Sequence, residues 1–266
     1  MFPKFFFSCC SKPQLPSPIS YLPSPTAAAV PPASSLQPTS LIVTVTLFLF
    51  FLTLSSALAE PSVETLLQEA RLHPTAHPIT LSAQIRGAEH PLPLVLKIEK
   101  NQIEYQLHHP EESIILKLGS TTSSLCEKID GKIQRMDDKK RYQEIRNTGV
   151  TYDDLSLGFL YWPHPRLLGT VTLRGQKSSL IELTTELDQK NLNNPYRSVH
   201  LWIDQCNGAP LRMEGFNQQN QLIKRFEIVS AQKIDDLWML KEMRIESFDP
   251  ETQKVIQRRY LEIARK

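Results

Sequence analysis

The sequence predicts a mainly antiparallel α+β fold: a curved sheet or incomplete (half) β-barrel of about ten or eleven strands, with helices on its concave side. Three observations carry this expectation. From residue 79 onward, apolar side chains recur at period two in short runs. The runs are separated by hairpin-type turns such as Lys100-Asn101, Asp130-Gly131 and Asn207-Gly208. Only two segments carry helical spacing, too few to supply the crossovers a parallel sheet needs.

Taken in order, Ser62 precedes Val63, Leu66, Leu67 and Ala70, whose three-four spacing makes one helical face, and Glu64 in the first turn suits the helix dipole. His73-Pro74 ends that helix, because proline disfavours a helical residue before it. Alternation then begins. Ile79, Leu81, Ala83 and Ile85 are followed by Leu92 to Ile98, Ile103 to Leu107 and Ile114 to Leu118. Thr151 opens a second helix with Asp154 as the acid of a capping box, Leu155, Phe159 and Trp162 along one face, and Pro163 as its stop. Strand patterning resumes over 167–174, 178–184, 198–204, 211–216, 221–231, 237–247 and 255–263.

The first 59 residues are set apart by composition. They hold two basic residues, no acid, no Gly and nine of the 20 prolines. Within them residues 41–54, LIVTVTLFLFFLTL, form an apolar core, followed by small residues at Ala57 and Ala59. This reads as a leader with a signal peptide over residues 1–59, cleaved before Glu60, and a single exported domain over 60–266. A core of this length is short for a membrane span, which takes about 20 residues; an uncleaved signal anchor in the inner membrane is the alternative.

The remaining 207 residues carry 28 basic and 28 acidic side chains. A neutral body argues against nucleic-acid binding, which needs a basic face. Cys126 and Cys206 are the two cysteines of this part and are candidates for a disulfide, with pairing and non-pairing both open.

Motifs for catalysis are not found. No two glycines lie two apart, which excludes G-x-G loops and the G-x-S-x-G elbow, and there is no H-E-x-x-H. His73 and His77 have the spacing of a helical metal pair, but Pro74 and Pro78 deny them the helix. Asp153-Asp154 is an acid pair that a hydrolase could use with a histidine, yet two acids in a first helical turn are what capping favours. The expectation is therefore no enzyme, no cofactor and no metal. The other constellation is apolar and aromatic: Leu155, Phe159, Trp162, Trp202, Phe216, Phe226 and Trp238 are the candidates to line a lipid-binding cavity under a curved sheet.

Several segments resemble the outer-membrane lipoprotein-sorting (LolA-like) family. They are Thr151-Tyr152-Asp153-Asp154-Leu155, Val199 to Asp204, Ala209 to Glu214, Leu222 to Glu227, Asp235 to Met239 and Lys241 to Met243. The resemblance covers about 115 residues and implies a half-barrel whose concave apolar surface receives acyl chains, with helices as a lid. It implies a periplasmic, monomeric carrier or binding protein for acylated lipoproteins or lipids, acting in outer-membrane lipoprotein sorting. A sensor or interaction module of the same fold, binding an inner- or outer-membrane protein without cargo, is the alternative.

Overall fold

The computed structural model describes residues 62–71, 78–185, 193–234 and 237–264. The proposed leader and the His73/His77 pair lie outside the described residues. Thirteen strands, each antiparallel to its neighbours, form one open sheet. They are β1 Ile79–Arg86, β2 Leu92–Glu99, β3 Gln102–Leu107, β4 Glu112–Leu118, β5 Ser123–Ile129, β6 Lys132–Arg135, β7 Arg166–Leu173, β8 Gln176–Thr184, β9 Ser198–Asp204, β10 Pro210–Phe216, β11 Leu222–Ile234, β12 Leu237–Phe248 and β13 Val255–Ala264. The order is β6-β5-β4-β3-β2-β1-β13-β12-β11-β10-β9-β8-β7. Two meanders are thus joined where β1 pairs with β13, and β6 and β7 are left as edges.

The two strands beyond the expected eleven are β5 and β6, either side of Asp130-Gly131. In β5 only Leu125 is a buried apolar residue, and every residue of β6 is exposed, so neither carries a readable alternation. Such an exposed, charged edge strand blunts further pairing.

Helix α1, Val63–Arg71, starts at Ser62, whose hydroxyl accepts the Thr65 amide, and it buries Leu66, Leu67 and Ala70. Between the meanders run the short helices α2, Asp138–Arg141, and α3, Tyr152–Ser156, then a 3₁₀ turn, Gly158–Tyr161. The capping box at Thr151 is made as expected: its hydroxyl accepts the Asp154 amide, and the Asp154 carboxylate accepts the Thr151 amide. The expected continuous helix to Pro163 is not formed. Ser156 accepts the Gly158 amide at 3.1 Å and Leu157 turns left-handed at φ 52°, so the chain leaves the helix after five residues.

The 3₁₀ turn touches both β5 and β8. Nine strands lie between those two, which in a flat sheet is roughly 48 Å at ~4.8 Å per strand. Four residues cannot bridge that distance, so the sheet must curl around them. Leu157 and Leu160 sit at 0% exposure inside a cluster with Ile114, Leu116, Ile181 and Leu201 from both meanders. This places the helices on the concave side, as the sequence predicts.

The convex side is charged. Ladder partners form the row Trp202, Arg212, Glu227, Arg244, Tyr260, Arg86 and, beside it, the row Glu182, His200, Glu214, Arg225, Glu246, Arg258. Signs alternate over Arg212-Glu227-Arg244 in the first row and over Glu214-Arg225-Glu246-Arg258 in the second. Glu227 contacts Arg174, Arg212 and Arg244, while Glu246 contacts Arg225, Arg244 and Arg258. Burial alone raises the Glu227 pKa, but the bond from Arg212 and the surrounding guanidiniums overcome it and hold the carboxylate below its ordinary value. The equal counts of acids and bases after residue 59 have here a local form. Isolated surface pairs contribute little, and networks contribute more.

Gly215 on β10 admits the ring of Tyr196: a Cβ there would lie 2.4 Å from the Tyr196 Cε1. Since Tyr196 is fixed at its hydroxyl, Gly215→Ala should destabilise the protein by about 1–3 kcal/mol through overpacking. Urea unfolding measures this, and a cost below about 0.5 kcal/mol would show that the ring is free to move aside.

Candidate functional site

The segment from α2 to the 3₁₀ turn lies across the concave side as a strap, and polar bonds fasten it at each end. At the β11 end, the fully buried Asp154 carboxylate receives the Lys224 ammonium at 2.9 Å and the Tyr196 hydroxyl at 2.6 Å, besides the Thr151 amide at 2.8 Å. Burial alone raises its pKa, but Lys224 and these donors overcome it and keep the carboxyl below its ordinary 3.8. Its neighbour Asp153 is bound by Arg141 and Ser156, yet there burial outweighs Arg141 and the pKa is raised. Both acids are therefore occupied by structural partners.

At the other end, Lys140 bridges Glu127 at 2.6 Å and Glu112 at 2.9 Å. The Tyr152 hydroxyl donates to Glu112, and its pKa is pushed up to about 12 by burial and that bond. Tyr161 donates to the Gly119 carbonyl. Arg71, at the end of α1, donates twice to the Leu160 carbonyl, at 2.9 and 2.7 Å, and so joins α1 to the strap.

The candidate lipid-binding residues do not converge. Leu155, Phe159 and Phe226 belong to the buried concave core, with Trp162 packed against it. Trp202 and Phe216 lie with the convex rows. There Arg212 stacks over Trp202 at 5.4 Å and His200 sits 4.6 Å from Phe216, ring to ring. Trp238 lines a separate cavity. Cys126 is a free thiol, so the Cys126–Cys206 bond is not made. Cys126 is on β5 and Cys206 in the β9–β10 turn, with seven strands between β5 and β10, whereas a disulfide requires Cα atoms within about 7 Å.

That cavity is an open pocket of about 360 Å³, within the ordinary range of ligand pockets. It lies between the β7–β8 hairpin, the β9–β10 turn and the β11–β12 pair. Leu173, Leu211, Ile228, Val229, Ala231 and Trp238 supply its apolar wall, and Arg174 stands in its lining. The wall forms where the convex rows stop: along β11, Glu227 is the last lattice acid, and residues 228–231 have no charge. Two irregularities of pairing between Ile228 and Ala231 bend the strand there. The Asp204 carboxylate, also in the lining, is committed to its own turn through the Cys206 amide and the Asn207 side chain. Among the described residues no group of three or more His, Cys, Asp or Glu is placed to hold a metal, and no helix is long and apolar enough to cross a membrane.

An open antiparallel sheet with short helices on its concave side is the architecture of LolA-like proteins, and comparison with solved structures agrees. The chain is similar to a domain from Vibrio parahaemolyticus described as an outer membrane lipoprotein-sorting protein. The identity is 15%, over 70% of this chain and 82% of that one, with a TM-score of 0.53. It is likewise similar to a LolA superfamily protein from Nitrosomonas europaea, at 16% identity over 77% of this chain and 92% of that one, TM-score 0.53. The fold is LolA-like. No curated protein matches the sequence. A family model described as "-like: Uncharacterized protein" matches residues 130–265, and the chain belongs to that family.

Removing one member of the Asp154–Lys224 pair leaves a buried charge alone, so Asp154→Asn and Lys224→Met should each cost about 3–5 kcal/mol, the double variant less than the sum. A carboxyl with a depressed folded pKa stabilises above its unfolded pKa, and that contribution is lost as pH falls through the folded one. The gap between wild type and Asp154→Asn should therefore shrink as pH drops below about 3.9. Chemical denaturation from pH 7 to 2 reads both effects; additive costs under about 1 kcal/mol each would show that the strap is held elsewhere.

Proposed function

We propose that this protein is an exported, periplasmic carrier or binding protein for acylated cargo, lipoprotein or lipid, and that the Trp238 cavity receives the acyl chain. The apolar wall of that cavity is the observation that carries the reading. Each methylene moved there from water gains about 0.8 kcal/mol, enough for a short length of chain to be held and still released. The name of the Vibrio parahaemolyticus relative, which speaks of lipoprotein sorting, supports the same reading at the level of fold. Binding and release need no bond to be made or broken, in keeping with a chain whose acid pair is used to fasten a strap. The protein acts as a monomer and meets a membrane only through its cargo or a membrane-protein partner.

The buried core beneath the strap favours a second reading. If the core under the strap never opens, the same fold serves as a sensor or interaction module for a membrane protein. Crosslinking in cells separates the two, since a carrier traps many lipoproteins and a sensor one protein.

The carrier reading predicts that the full chain, purified from cells, yields acyl lipid on solvent extraction and binds a fluorescent fatty-acyl probe. Leu173→Trp, which adds bulk at the hairpin rim of the cavity, should weaken the probe by about tenfold or more without lowering the melting temperature. A protein that yields no lipid and binds no probe would contradict the carrier.

A further inference from the structure

We infer that the Trp238 cavity selects amphiphiles with an anionic head, and that Arg174 is the residue that reads it. This rests on the cavity reading above and names the class of ligand it takes. Arg174 sits at the left-handed first position of the β7–β8 turn, φ 50°, at the edge of the apolar wall. Two bonds hold it there: its Nε donates to Glu227 at 3.2 Å and its Nη1 to the Val229 carbonyl at 3.3 Å. Its Nη2 makes no bond among the described residues, and the side chain is 44% exposed. The guanidinium is therefore positioned in advance with donors left over, as a carboxylate or phosphate oxygen requires.

The charge around it is suited to the same ligand. Glu227 is the acid that Arg174 touches, and it is shared with Arg212 and Arg244, so three cations converge on one carboxylate. The Nε of Arg212 is buried without a hydrogen-bond partner, and that of Arg244 comes only within 3.5 Å of a Glu246 oxygen. Asp204, the acid in the cavity lining, spends its oxygens on its own turn. A chain in the apolar wall would bring its head to this rim. A neutral head would leave the Arg174 donors to water, whereas an anionic oxygen completes them.

Calorimetric titration of the full chain with decanoate, decyl phosphate and decanol tests the inference, since the three share a chain and differ in the head. Decanoate, decyl phosphate or both should bind at least about tenfold more tightly than decanol at low salt, and added salt should narrow that margin. The more tightly held anion points to the natural source, a fatty carboxylate or a phospholipid head. In Arg174→Gln the margin should collapse to near unity, and in Arg174→Lys, which keeps the charge without the planar fork, part of it should return. Circular dichroism confirms that the variants are folded; Glu227 keeps Arg212 and Arg244 in both. Decanol binding as tightly as both anions, or a margin that survives Arg174→Gln, would overturn the selection by Arg174 and leave the cavity reading standing. Failure of all three ligands to bind would overturn both.

Discussion

A buried carboxylate with three donors holds this structure in its curled form. Asp154 cannot be solvated where it lies, so its charge is kept by Lys224, Tyr196 and the Thr151 amide. Each comes from a different place: the strap's own cap, the segment before β9, and the concave face of β11. The bond set thus fixes one end of the strap to the C-terminal meander, while Lys140 and Tyr152 fix the other to β4 and β5. A sheet of this width twists and tends to curl on its own, and the strap, whose leucines pack against both halves, holds the curl in this form.

The division into faces follows. The concave face carries the buried apolar core, with the Asp154–Lys224 pair set into it, and the convex face carries two rows in which acids and arginines pair. Such rows let a wide sheet face outward with its charges paired. The rows end beyond Glu227 on β11, and the cavity is found at that place.

Much of the fold was legible from residue spacing, because a strand with one buried face writes its burial into alternate positions. β5 and β6 were hidden because they are at an edge and bury almost nothing apolar. The cap at Thr151 was legible because both partners lie within one turn. Its wider role was not: Tyr196 and Lys224 are 42 and 70 residues from Asp154, and no local spacing relates them. Of the aromatic set Trp238 lines the cavity, and the different place of Trp202 has a readable reason. In β9, Val199, Leu201 and Ile203 have one parity, while His200 and Trp202 have the other, so Trp202 belongs with the charged rows. Treating aromatics as a group ignored that alternation. Arg174 gave no signal at all, since a turn arginine gains meaning only from the wall beside it.

The central claim is that an acyl ligand occupies the Trp238 cavity while the strapped core stays closed. Hydrogen exchange of the full chain, with and without saturating acyl ligand, addresses it directly, because exchange reports local opening segment by segment. The account predicts new protection in the β7–β8 hairpin, the β9–β10 turn and residues 228–231, with residues 152–161 and the concave core unchanged. Altered exchange in residues 152–161 and the core strands, with the hairpins unaffected, would mean that the ligand enters beneath the strap and would contradict it.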